Sequence, residues 1–225
     1  MGVSTPRLVY LLIPQAPTTV LGHWYQERSM KRCERRFTKP ISTLIHHMVN
    51  VKSLTLHDFH WLGTRVEDRI CDVICSTVSL RFLTSLAIHC ENTALWRPDT
   101  HGNYSLQLCL VLRSHPLLDR LELGPGLWDL EPWIQPSDVP RLSHLTADSD
   151  AVRVMVRGRP ITTLYIPNLM DVRDVAALID SVVPITTLTF DILPECNESA
   201  LSSIGTHIKD IQHLVLGHAD VASGN

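Results

Sequence analysis

The chain has 225 residues, 44% of them hydrophobic, a formal net charge of −3 and a pI near 6.4. That is enough apolar material for one continuous core, and the near-neutral balance excludes a molecule built as a whole to bind nucleic acid. Basic charge gathers in one place: residues 28–39 hold six Lys/Arg and one Glu, a local +5 against −8 for everything else.

In chain order, Leu8-Val-Tyr-Leu11-Leu-Ile13 reads as a strand, too short for a secretory apolar region or a membrane span. Residues 1–48 are expected to form a helical N-terminal region or cap with this one extra strand at 8–13. Arg28, Lys31, Arg32, Arg35, Arg36 and Lys39 recur at helical spacing, which sets all six on one face with Met30, Cys33 and Phe37 opposite. The expected role is the solvated outer face of a capping helix, with an import signal or an acidic partner as the functional alternative.

From residue 51 a phrase, apolar-x-x-Leu-x-apolar, recurs with starts at Val51, Leu83, Leu118, Leu142, Ile161, Ile185 and Ile211. Successive starts lie 32, 35, 24, 19, 24 and 26 residues apart, the spacing of a stacked repeat with insertions in its early copies. Each phrase alternates as a strand does. Between them the period shifts to that of a helix, with stripes at Val66, Ile70, Ile74 and Val78, at Val172, Val175, Ala176 and Ile179, and at Leu201, Ile204 and Ile208. Residues 104–113 are apolar nearly all round, as in a helix held between neighbours. Helix followed by strand predicts parallel strands on one side and helices on the other. Residues 49–217 are therefore expected to be an α/β solenoid, and 218–225 a C-terminal tail. The six cysteines lack the paired spacing of a zinc site or a disulfide framework, which points to a reducing compartment, cytoplasmic or nuclear.

Asn50-Val-Lys-Ser-Leu-Thr-Leu56 and His115-Pro-Leu-Leu-Asp-Arg-Leu-Glu-Leu123 resemble the strand openings of F-box-type leucine-rich-repeat proteins, especially the divergent fungal kind. The resemblance covers roughly residues 40–217. It implies a leucine-rich-repeat solenoid with parallel strands on the concave face and helices on the convex face, and substrate recognition for a ubiquitin ligase. The chain departs from that pattern twice. Phe59, Glu91, Gly126 and Asp150 stand where the family has a turn asparagine, so the turns need another support. Residues 1–45 lack the Leu-Pro opening and the helices of an F-box, which leaves a Skp-type adaptor without its docking segment.

Strand alternation sends the residues between the apolar positions to the concave face. These are Ser53, Thr55, His57, Ser85, Ala87, His89, Arg120, Glu122, His144, Thr146, Asp148, Thr163, Tyr165, Thr187, Thr189, Asp191, His213 and Val215. The candidate partner-binding residues among them are His57, His89, Arg120, Glu122, His144, Tyr165 and His213. The row is polar and weakly charged, which suits a protein or peptide ligand better than nucleic acid. The plain alternative for any one of them is a hydrated sheet face. His57 and His89 share a column without a third ligand, so no metal and no cofactor is expected. Trp61, Trp96, Trp128 and Trp133 follow strand ends and form a candidate binding rim, or else pin their loops to the core. No phosphate-cradling loop, nucleophile elbow or metalloprotease helix occurs, and no catalytic residue is assigned. The expectation is a non-enzymatic protein-recognition module without membrane association, with a truncated structural remnant as the alternative.

Overall fold

The computed structural model describes residues 9–12, 50–57, 80–89, 101–124, 130–131, 133–167, 172–192 and 198–218. Eight strands form one open sheet: β1 (Val9–Leu12), β2 (Ser53–His57), β3 (Ser85–Ile88), β4 (Arg120–Leu123), β5 (His144–Thr146), β6 (Thr163–Ile166), β7 (Thr187–Ile192) and β8 (His213–His218). They lie side by side in sequence order, every neighbouring pair parallel. Four helices are described between them, α1 (His101–Ser114), α2 (Ser149–Met155), α3 (Val172–Leu178) and α4 (Glu198–His207). The protein is thus α/β with a single open parallel sheet, an arrangement compatible with a solenoid.

The register stacks equivalent residues of the repeated phrase. Leu54, Leu86, Leu121, Leu145, Leu164, Leu188 and Leu214 are successive partners across seven strands. All but Leu214 are 0–2% exposed. A slip by one residue would turn a leucine into water, so burial on one face fixes the register. Val51, Leu83, Leu118, Leu142, Ile161 and Ile185 are buried ahead of the strands. Against this face pack Leu108, Cys109, Val111 and Leu112 of α1, Ala151, Val152 and Met155 of α2, Val175 and Leu178 of α3, and Ile204 of α4. Helices α2, α3 and α4 are successive neighbours. Burial pushes the Cys109 thiol up to about 12, so it serves the core as a protonated small hydrophobe.

The helical period anticipates α1, α3 and α4 but not α2. Val152, Val154 and Val156 alternate as in a strand, whereas the residues that α2 buries are Ala151, Val152 and Met155. Its start is capped: the Asp148 carboxylate accepts from the Ala151 N–H at 2.9 Å. Alternation places Asp148 on the concave face; the structure buries it instead, because the cap draws the carboxylate onto the helix terminus.

Among the described residues between β4 and β5 there is no helix, and Leu130, Ile134 and Val139 fill the core there. Arg113 of α1 ties this segment down, donating from Nε to Asp138 Oδ2 at 3.1 Å and from Nη2 to the Trp133 carbonyl. Asp138 also accepts the Gln135 N–H at 2.8 Å. From the other side Arg159, 0% exposed, donates to the carbonyls of Gln135, Asp138, Val154, Met155 and Arg157. Val154 and Met155 close α2, where carbonyls lack helical partners. Burial brings the Arg159 guanidinium down to about 10, with Asp138 opposing, so it stays charged at neutral pH. Gly158, at φ +69°, lets the turn approach Pro136, whose Cβ would lie 2.9 Å from a Cβ at position 158. Val139 holds φ 47°, a region that β-branched residues rarely adopt.

A ladder at the leading end of each strand sets the pitch. The Lys52 carbonyl accepts N–H groups from Thr84 at 2.8 Å and Ser85 at 3.0 Å. The carbonyl of Thr84 does the same for Asp119 and Arg120, that of Asp119 for Ser143 and His144, and that of Ser143 for Thr162 and Thr163. Thr162 then serves Thr186 and Thr187, and Thr186 serves Gln212 and His213. Hydroxyls add a third bond to the carbonyls of Lys52, Ser143 and Thr162, from Thr84 at 3.1 Å and from Thr162 and Thr186 at 3.3 Å. With the turn asparagine absent, these bonds tie one unit to the next.

Candidate functional site

Because strand residues alternate, sealing one face with leucines leaves the other open. Two rows run across it, perpendicular to the strands. The first is Ser53, Ser85, Arg120, His144, Thr163, Thr187 and His213, each the register partner of the next. The second is Thr55, Ala87, Glu122, Thr146, Tyr165, Thr189 and Val215. Neighbours within a row sit ~4.8 Å apart. His89, Glu122, His144 and Tyr165 are half-buried, and Arg120 and His213 are exposed. His57 closes β2, but its side chain lies outside the described residues, as do Trp61, Trp96, Trp128 and the basic positions Arg28, Lys31, Arg32, Arg35, Arg36 and Lys39.

Side chains on this face engage one another. His89 Nε2 lies 3.5 Å from Glu122 Oε1. Tyr165 donates to Asp191 Oδ2 at 3.2 Å. Partial burial, and then the Asp191 charge, hold the Tyr165 phenol above its ordinary value, so it is a neutral donor at physiological pH. Asp191 arches over Gly217 of β8, where any Cβ would collide with the carboxylate. Glycine here makes room for the tyrosine–aspartate bond.

One serine, histidine and aspartate also meet. Ser143 Oγ donates to Asp119 Oδ1 and lies 2.7 Å from His144 Nδ1, while His144 stands 4.0 Å from Asp119 Oδ2. A nucleophilic triad needs the imidazole in the middle, taking the hydroxyl proton. Here the serine is in the middle with its proton on the carboxylate. The imidazole is therefore not placed between the hydroxyl and the carboxylate. Among the described residues no three His, Cys, Asp or Glu side chains converge as a metal site.

Trp133 packs against the core, its indole Nε1 buried and unpartnered, so it anchors its own segment. Sequence reasoning missed Arg159, which resembles any turn arginine, and the ladder hydroxyls. The second of these had a signal: Thr84, Thr162 and Thr186 all occupy the first x of the repeated phrase.

Comparison of the chain with protein-family models, curated proteins and solved structures finds no match in any of the three. Among the described residues no helix is long and apolar enough to cross a membrane.

Proposed function

We propose that this chain is a leucine-rich-repeat recognition module that binds a protein or peptide on the open face of its sheet, without catalysis. The observation that carries the reading is the asymmetry of the sheet. One face is sealed, and the other holds the half-buried hydroxyls of Ser53, Ser85, Thr163 and Thr187, which have no partner among the described residues. Rigid, partly desolvated donors of this kind bind with little ordering cost. The resemblance to F-box-type repeats extends the proposal to substrate recognition for a ubiquitin ligase in the cytoplasm or nucleus. A Skp-type adaptor forms no part of it.

The test is capture of partners from cell extract by the wild-type chain and by three variants, each checked for an intact fold by circular dichroism. Thr146→Arg and Thr187→Arg, which crowd the open face, are expected to lose the captured protein. Leu110→Lys, on the exposed outer side of α1, is expected to retain it. Capture insensitive to the open-face variants, or no capture at all, overturns the reading.

A further inference from the structure

β8 is last in the strand order, and its neighbour among the described residues is β7. Leu214 and Leu216 stand in register with Leu188 and Phe190, yet each is 46% exposed against 0% and 2%. Of the large hydrophobic side chains exposed among the described residues, Leu214, Val215 and Leu216 are the ones that run consecutively. An edge strand is ordinarily blunted by a charged side chain, a proline or a bulge. β8 reads His-Leu-Val-Leu-Gly-His, with no Lys, Arg, Asp, Glu or Pro. Its backbone is open too. The His213 N–H goes to the Thr186 carbonyl of the preceding unit, and alternation then turns the N–H and C=O groups of Leu214 and Leu216 away from β7.

We propose that β8 pairs antiparallel with β8 of a second copy, about a two-fold axis through Val215. The strand is self-complementary in that register. Leu214 of each copy stands opposite Leu216 of the other, on the face that both copies seal with leucines. These are the residues whose backbone groups point outward, so each such pair exchanges both of its N–H and C=O bonds. Centring the axis on Leu214 or on Leu216 would instead set a leucine against Gln212 or His218. His213 of one copy falls opposite Gly217 of the other, where the arching Asp191 carboxylate offers it an acceptor. The strand carries no permanent charge, so a copy meets no like charge along it. A joint of this kind uses the same patch twice and closes at two copies.

Sedimentation velocity across a concentration range tests this. One strand pair is a small contact, so a Kd on the order of 10–100 µM is expected. At about 1 µM, the range of unfolding measurements, the chain should be a 25.4 kDa monomer with Leu214 exposed, and at about 300 µM it should run at twice that mass. Leu214→Glu and Leu216→Lys each bring a charge into the joint and should weaken it at least about tenfold. Both side chains are half exposed, so the fold is expected to hold, with circular dichroism as the check. An equimolar mixture of the two variants should dimerise again, because across this register the new carboxylate faces the new ammonium. Leu216→Pro removes an N–H that points into the joint and should also stay monomeric. Leu110→Lys, on the outer side of α1, should dimerise as the wild type does. A monomer at about 300 µM, growth beyond two copies by head-to-tail stacking, a dimer indifferent to the β8 variants, or a mixture that stays monomeric overturns the proposal.

Discussion

Arg157 and Arg159 stand two residues apart in the same turn and have opposite fates. Arg157 is largely exposed and reaches Asp180 at 3.4 Å; Arg159 is 0% exposed and spends its donors on five carbonyls. Nothing in the local sequence separates them, because the carbonyls that select Arg159 come from α2 and from a segment more than twenty residues upstream. Arg159→Met removes the donors and strands buried acceptors, each costing about 1–3 kcal/mol. The expected loss is at least about 3 kcal/mol in urea unfolding. A loss below about 1 kcal/mol would mean that water serves those carbonyls as well. The group's pKa has a definite sign for stability. Its native value of about 10 lies below the ordinary 12.5, so the unfolded chain holds the proton more tightly and stability from this source rises only as pH climbs above 10. Cys109 acts oppositely: raised from 9.0 to about 12, it loses its stabilising contribution as pH passes through that window.

At the scale of elements, two pairs of adjacent threonines separate support from surface. Thr162 and Thr186 donate to the carbonyls of Ser143 and Thr162, while the hydroxyls of Thr163 and Thr187 have no partner among the described residues. Thr162→Val or Thr186→Val is expected to cost about 1 kcal/mol each, and Thr163→Val or Thr187→Val close to nothing, by urea midpoints. The reverse ranking would remove the ladder from the account of how units are joined. Period and phrase made the strands, α1, α3 and α4 legible. Helix α2 was not, since Val152, Val154 and Val156 alternate as in a strand and its cap, Asp148, fits a strand's alternation equally well.

Among the described residues one core extends from Val51 to Ile204. The same position of the repeated phrase therefore carries a different weight along the sheet. Leu164, inside the array, is 0% exposed, and Leu214, in β8, is 46% exposed. Leu164→Ala is expected to cost about 2–5 kcal/mol, and Leu214→Ala under about 1 kcal/mol, in thermal or urea unfolding. Equal costs would show that β8 is covered in solution.

The repeated phrase by itself determined a parallel α/β sheet in chain order and, Asp148 apart, which of the described side chains stand on its open face, because alternation and burial of one face are local properties of a strand. The tertiary structure alone decided which of those side chains are occupied by one another and which arginine is buried. Those outcomes depend on groups brought together from distant units, and no pattern within a single phrase records them.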